Sequence, residues 1–229
     1  MDPHTVVSLP NAISIPRLAP YLNRYNGNNQ MAIRMYAWNL EMSGAFWGPL
    51  SVLEITLRNS IHDAMRNGRV DDDWWNLQAV NLESREDKRI EAAMDKLAFT
   101  KNYSPSADDV VGATSMGLWV GLLGVGVARH PLYDYETKLW PRLQTAFPNR
   151  GLLGRRQIHA KFNRLRVLRN RIAHHEPIFR NKHDEHRDLI IECVGLIDTD
   201  VANYVSGSHR IDSVLANQQA AVGTGACSF

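Results

Sequence analysis

The stretch Leu165-Arg-Val-Leu-Arg-Asn-Arg-Ile-Ala-His-His-Glu-Pro-Ile-Phe179 decides how the chain is read. With helical spacing counted from Arg155, the side chains of Ile158, Phe162, Leu165, Leu168 and Ile172 fall within roughly 120° of arc and make an apolar stripe. At about 100° per residue, Arg169 lands inside that stripe, Asn170 and His174 lie one turn apart on another face, and Arg171 and His175 on a third. A guanidinium on a core face needs a partner or a cavity, because burying it unpaired is costly. Pro177 lacks an amide hydrogen and turns Glu176 away from helical geometry, so the helix is predicted to stop or kink in the turn that holds His174, His175 and Glu176. Both imidazoles then sit at a helix C-terminus, where the negative end of the dipole favours a protonated ring and a histidine is placed to exchange protons.

Charge is unevenly distributed around this helix. The 229 residues carry a formal net charge of only +2, yet residues 150–187 hold eleven Lys and Arg against three Asp and Glu. A basic segment containing the motif suits a phosphate-bearing ligand; the plain alternative is a solvated helix face that happens to be basic.

Apolar residues make up 44% of the chain, enough for a sizeable core, and the length suits one large domain. Cys193 and Cys227 form neither a disulfide framework nor a zinc spacing, which fits a reducing compartment. The opening Met-Asp-Pro-His has no basic segment leading into an apolar one. The longest apolar run, 116–128, is too short and Gly-rich to span a bilayer, so the expectation is a soluble cytoplasmic protein without membrane contact.

Outward from the motif, the remaining chain reads as helices. Residues 1–15 mix Pro3, Pro10 and small polar residues without a period and read as an extended or flexible arm. Ser14 with Pro16 starts a first helix running to about Arg24, and Asn26-Gly-Asn-Asn29 ends it. Segments 30–47 and 50–67 have helical spacing, separated by a break at Gly48-Pro49 and closed by Gly68. In the second, Leu53, Leu57, Ile61 and Ala64 make the buried stripe, while Glu54, Arg58 and His62 step along its margin as one polar ladder. Asp71-Asp-Asp-Trp-Trp75 reads as helix N-terminal charge followed by two anchoring tryptophans rather than a metal site. Residues 83–99 form an amphipathic helix with Ile90, Ala93, Met94 and Leu97 inward, after which Ser104-Pro-Ser-Ala-Asp-Asp109 is a loop and N-cap. A buried central helix should run from there to Ala128, interrupted near Gly124; further helices span 133–147 and 185–205, the last with Leu189, Ile190, Val194, Ile197, Val201 and Tyr204 inward. The tail 206–229 reads as partly mobile. No stretch alternates with period two, so the fold class is all-α, with a single domain over 16–205.

Arg169, Asn170 and His174, followed by His-Glu-Pro-Ile, form a pattern that resembles the signature of the HEPN superfamily, and more narrowly of the Abi-like (abortive infection) family. The likeness extends over the run Leu168-Arg-Asn-Arg-Ile-Ala-His-His-Glu-Pro-Ile178, over Leu53-Glu-Ile-Thr-Leu-Arg-Asn59 upstream and over Met116-Gly-Leu-Trp-Val-Gly-Leu122 between, in that order. It covers roughly residues 20–205. The resemblance implies a HEPN-like helical bundle with additional helices, a homodimer with its cleft at the interface, RNA cleavage leaving 2′,3′-cyclic phosphate or phosphate ends, and a role as a toxin or abortive-infection effector restrained by a protein or RNA antitoxin.

Cleaving RNA without metal needs a base for the 2′-OH, a cation for the charged phosphorane and an acid for the leaving oxygen. His174 is assigned proton transfer, Arg169 the scissile phosphate, and Asn170 the orientation of His174; His175 is the alternate to His174, and Glu54 a supporting residue reaching Arg169 or His174. Arg58, Arg164, Arg166, Arg171, Arg180 and Lys182 are candidate RNA contacts. No cofactor and no metal site are expected, because no carboxylate pair sits beside a His on one helical face. A catalytically inactive module binding RNA or a partner protein would use the same arginines. A purely structural bundle would pair Arg169 in the core and use the histidines as caps.

Overall fold

The computed structural model describes residues 3–69, 71–77, 80–100 and 105–228, and the fold is all-α: no strand occurs among these residues, although an isolated bridge pairs Gly126 with Asp134. In chain order the helices are α1 (Pro3–Ile13), α2 (Ile15–Arg24), α3 (Asn29–Arg66), α4 (Ser84–Thr100), α5 (Ala107–Ala113), α6 (Met116–Leu122), α7 (Tyr135–Lys138), α8 (Trp140–Leu143), α9 (Arg155–Ala173), α10 (His183–Gly195), α11 (Thr199–Ser208), α12 (Ile211–Ala216) and α13 (Gln218–Thr224), with 3-10 turns at Trp74–Asn76 and Gln144–Ala146. Among the described residues no helix is long and apolar enough to cross a membrane. Ser104 of the expected loop lies outside the described residues.

The chain divides into two compact units interleaved in sequence. The first takes residues up to Leu50, Val167–Asp188 and the chain from Val205 onward; the second takes Ser51–Arg166 and Leu189–Tyr204. Helical periodicity says which residues are buried but not which cluster they join, so this division was not legible beforehand.

In the first unit the chain carries helices near both ends, α1 and then α12 and α13. α1 carries Pro10 inside it. α12 and α13 bury Ile211, Val214, Ala221 and Val222, and the Trp38 indole donates to the Val214 carbonyl at 2.9 Å. Arg34 donates to the carbonyls of Val222 and Gly223. A weakly apolar, Gly- and Gln-rich segment therefore orders because long-range partners satisfy its backbone, which local composition does not reveal.

Helix α3 runs unbroken for 38 residues through Pro49, against the expected break. Proline disfavours helical geometry at the preceding residue chiefly by crowding its Cβ, and Gly48 has none. The buried positions Trp38, Met42, Ala45, Phe46, Leu50, Leu53, Leu57 and Ile61 keep helical spacing straight across it, so burial outweighs the lost hydrogen bond.

The second unit contains three helices shorter than their patterns suggested. The expected helix to Ala128 is two, α5 and α6, because Thr114 Oγ1 donates back to the Val111 carbonyl at 2.7 Å and accepts from the Trp119 indole at 3.0 Å, fixing an extended link at Thr114 and Ser115. The 133–147 helix becomes α7, α8 and a 3-10 turn, since Pro141 cannot continue the ladder of α7; Leu139, Trp140, Leu143 and Phe147 are buried as expected. The last helix breaks into α10 and α11. Asp198 accepts the amides of Asp200 and Val201, and Asn149 bonds both the Gly195 carbonyl and, through its backbone, that of Leu196. An aspartate cap, with Asn149 donating to the carbonyls that end α10, wins over continuation, and Tyr204 faces solvent instead of the core.

Candidate functional site

The motif helix α9 buries the stripe read from the sequence: Ile158, Phe162, Leu165, Leu168 and Ile172 are 0–6% exposed. Arg169 on that side is half-buried, and its guanidinium lies 5.5 Å from the centroid of the Trp47 ring on α3. The indole gives the cation an electrostatic partner on its ring face. Asn170 is half-buried, and its carbonyl accepts the His174 amide at 2.9 Å, so helical bonding persists as far as His174.

Helix α9 then closes as a Schellman turn. The Glu176 amide donates to the Arg171 carbonyl at 2.7 Å and the His175 amide to the Ile172 carbonyl at 3.0 Å, with His175 in the left-handed region at φ 55. That position is usually glycine, and histidine is among the few side-chain-bearing residues that occupy it with any frequency. The helix thus stops in the turn of His174, His175 and Glu176 where Pro177 was expected to end it. His174 and His175 are both exposed.

The chain after the helix is tied down on every side within the first unit. Arg17 on α2 donates to the His175 carbonyl at 2.9 Å. Arg171 donates to the Pro177 carbonyl at 2.6 Å and to Asn181 Oδ1 at 3.4 Å, and pairs with Glu176 at 3.4 Å. The Ile178 amide donates to Asn39 Oδ1 at 2.8 Å, and Asn39 is 2% exposed. Phe179 packs on Tyr21 at 4.8 Å. His183 is buried between Trp38 and Phe46; burial, above all, holds its imidazole below the usual histidine range, with the Ile178 backbone acting in the opposite direction. These anchors hold the backbone that carries the two exposed imidazoles in one geometry.

Other predicted residues fall as follows. Arg171 spends its donors on the loop, as described. Arg180 is exposed, with its guanidinium 5.2 Å from the Phe179 ring; Lys182 is exposed and pairs with Glu185. Arg164 is exposed, Arg166 binds Asn163 Oδ1 through two nitrogens, and Arg58 bonds Asn59 Oδ1. Glu54 Oε1 accepts the Met116 amide at 2.8 Å, placing its carboxylate at the N-terminus of α6, whose N-cap Ser115 makes no side-chain bond of its own. Glu54 thereby links two of the quoted motifs. His62 leaves the expected ladder: it is 4% exposed and its Nδ1 accepts from the Trp74 indole at 3.1 Å.

Trp47, Arg17 and Asn39 were not singled out by sequence reasoning. A lone amide at a core register, between Trp38 and Leu40, was the available signal for Asn39; Trp47 and Arg17 carried none, because their roles depend on a partner more than a hundred residues away. Among the described residues no three His, Cys, Asp or Glu side chains cluster as a metal ion would require. Comparison with family models, with curated proteins and with solved structures returns no match.

Proposed function

We propose that the chain is a metal-independent endoribonuclease of HEPN type that cleaves RNA by attack of its own 2′-OH. The observation carrying this reading is the terminus of α9: an exposed His174 on an anchored turn, and five residues before it a guanidinium backed by the Trp47 face.

His174 takes the 2′-hydroxyl proton as the oxygen attacks phosphorus. Arg169 offers paired donors to the non-bridging oxygens, where charge develops in the phosphorane. The 5′-oxygen leaves with a proton from a second imidazole, and the products are a 2′,3′-cyclic phosphate and a 5′-hydroxyl. Asn170 orients His174, and Arg180 and Lys182, in the same unit, contact the backbone of the strand.

On an undistorted helix Arg169 and His174 stand about 140° apart. Since helical bonding persists to His174, one chain does not bring the pair together by unwinding. A homodimer resolves this: two α9 helices related by a two-fold axis set Arg169 of one copy near His174 of the other, and supply two imidazoles for base and acid. A toxin or abortive-infection role, with a protein or RNA antitoxin, rests on the motif resemblance.

The test is incubation of the purified protein with total RNA in excess chelator, beside His174→Ala. Persistent cleavage by the wild type, lost in the variant, with DNA of the same sequence spared, is the expected result. Activity that vanishes in chelator and returns with Mg²⁺ or Mn²⁺ refutes His174 as the proton-transfer group. Intact RNA with retained RNA binding would leave the motif as a binding module.

A further inference from the structure

A second basic site lies wholly within the second unit, on residues the cleavage reading leaves unused apart from Arg166. Helix α4 carries a fully buried carboxylate, Glu86. Glu86 Oε1 pairs with Arg85 at 3.3 Å and Arg89 at 3.2 Å, and Tyr135 donates to Oε2 at 3.3 Å. Arg89 also donates to the Gly117 carbonyl at 2.9 Å. Gly121 of α6 makes this approach possible: a Cβ there would lie 2.5 Å from Glu86 Oε1 and 3.1 Å from Arg89 Nη1. Glu86 is thus a fixed anion that aims two guanidiniums.

Those guanidiniums border a cleft of about 900 Å³. Lys88 and Glu83 join Arg85 and Arg89 on its wall, and Ala92, Val127 and Tyr133 give it an apolar floor. Val127 is 45% exposed. His159 of α9 is half-buried within the electrostatic reach of Arg85 and Arg166, and a Cβ added at Gly124, just past α6, would meet its Nε2 at 3.9 Å. Arg166, bound to Asn163, completes the group, while Arg155 is neutralised by Glu136 at 2.7 Å. Counted against Glu83 and Glu86, the cations Arg85, Lys88, Arg89 and Arg166 leave an excess of positive charge. Burial first, then Arg155, Arg166 and Arg85, hold the His159 imidazole below its ordinary range, so the ring stands as a neutral group facing unbalanced cations.

An excess of guanidinium charge beside an apolar, tyrosine-bearing floor matches a ligand that joins a phosphate to a ring. We propose that this cleft binds a nucleotide: Arg85, Lys88 and Arg89, with Arg166 behind them, take the phosphate, and Val127, Tyr133 and Ala92 receive the base. The nucleotide is either a free mononucleotide or the 5′-phosphorylated end of an RNA strand. The site stands independently of the cleavage chemistry at Arg169 and His174.

Titration calorimetry of the full chain with 5′-AMP, adenosine and inorganic phosphate tests it, with Arg85→Gln/Lys88→Gln as the control; both residues are exposed, so the variant keeps its fold. AMP should bind saturably and phosphate compete, while adenosine binds at least tenfold more weakly, since a charge-assisted contact is worth about tenfold or more. The double variant should lose a similar factor. The His159 ring resonances should shift on adding AMP, and their titration midpoint should rise as the phosphate offsets the surrounding arginines. In a His174→Ala background, where cleavage is absent, AMP binding persists; a 5′-phosphorylated RNA binding more tightly than both AMP and its 5′-hydroxyl counterpart assigns the strand end, and equal binding assigns the free mononucleotide. No saturable AMP binding by folded protein, equal affinity for adenosine, or unchanged affinity in the double variant would overturn the proposal.

Discussion

The guanidinium carbon of Arg169 stands 5.5 Å from the centroid of the Trp47 ring, so the cation expected on a core face is held by an indole. Cation–π contacts at such half-exposed positions contribute about 0.5–1 kcal/mol, and they set orientation as well as energy. Trp47→Leu should therefore cost little in melting temperature but lower single-turnover RNA cleavage, because the guanidinium plane loses its backing. Arg169→Lys should lose most cleavage despite keeping the charge, since an ammonium has no forked donors. Near-normal rates in both variants would reduce Arg169 to a point charge.

His175 sits in the left-handed region at φ 55 and is contacted through its carbonyl by Arg17, so its ring is not what closes the turn. His175→Gly keeps the Arg17 bond and removes the strain of a Cβ in that conformation. The gain is about 0.5–1 kcal/mol after the entropy cost of glycine, read as a higher denaturant midpoint. Unchanged cleavage in this variant identifies His174 as the acting ring. A loss as deep as that of His174→Ala would transfer the role to His175.

If the cleft is shared between two copies, Arg169→Ala and His174→Ala protomers, each inactive alone, should regain activity when refolded together. One intact Arg–His pair forms in each mixed dimer. Sites confined to single chains regenerate none, so an inactive mixture in which mixed dimers are shown to form would refute the composite site.

Acid should destabilise the fold from just below pH 6.5, the ordinary histidine value. His62 is 4% exposed and its Nδ1 must stay unprotonated to accept from Trp74. Burial, then Arg66, depress its folded titration, against Asp63, Asp108 and Asp72. Above 6.5 the ring is neutral whether folded or unfolded, and the stability is fully present. As pH falls, the unfolded chain takes up the proton first, and stability declines until the folded ring also titrates. His159 and His183, lowered chiefly by burial, add to the same slope. Melting temperatures across pH 4.5–8 should fall on the acid side, and His62→Gln should start lower and fall less steeply. An acid limb equally steep in that variant would remove His62 from the cause.

Glu54→Ala should cost about 1 kcal/mol, the usual worth of a lost helix-terminal acceptor, because the Met116 amide at the start of α6 loses its partner. Glu54→Gln keeps a carbonyl oxygen and should cost less. Equal losses in the two variants would mean that the charge, rather than the acceptor, is what α6 uses.

Periodicity determined the helical class and the buried stripe of α9 from Ile158 to Ile172, and Pro177 the end of that helix at the two histidines, because each follows from contacts within a turn or two of chain. The same reasoning went astray wherever a distant partner outweighed a local preference. Gly48 and an unbroken run of buried side chains carried α3 through Pro49, and the helical segments after Val205 find partners in Trp38 and Arg34 that spacing did not reveal. Glu54, placed by spacing on a polar ladder, also accepts an amide 62 positions away. The left-handed His175 and the buried Glu86 between two arginines were likewise decided by tertiary structure. A charge on the margin of a helix looks solvated in sequence, and only packing determines whether water or another side chain satisfies it.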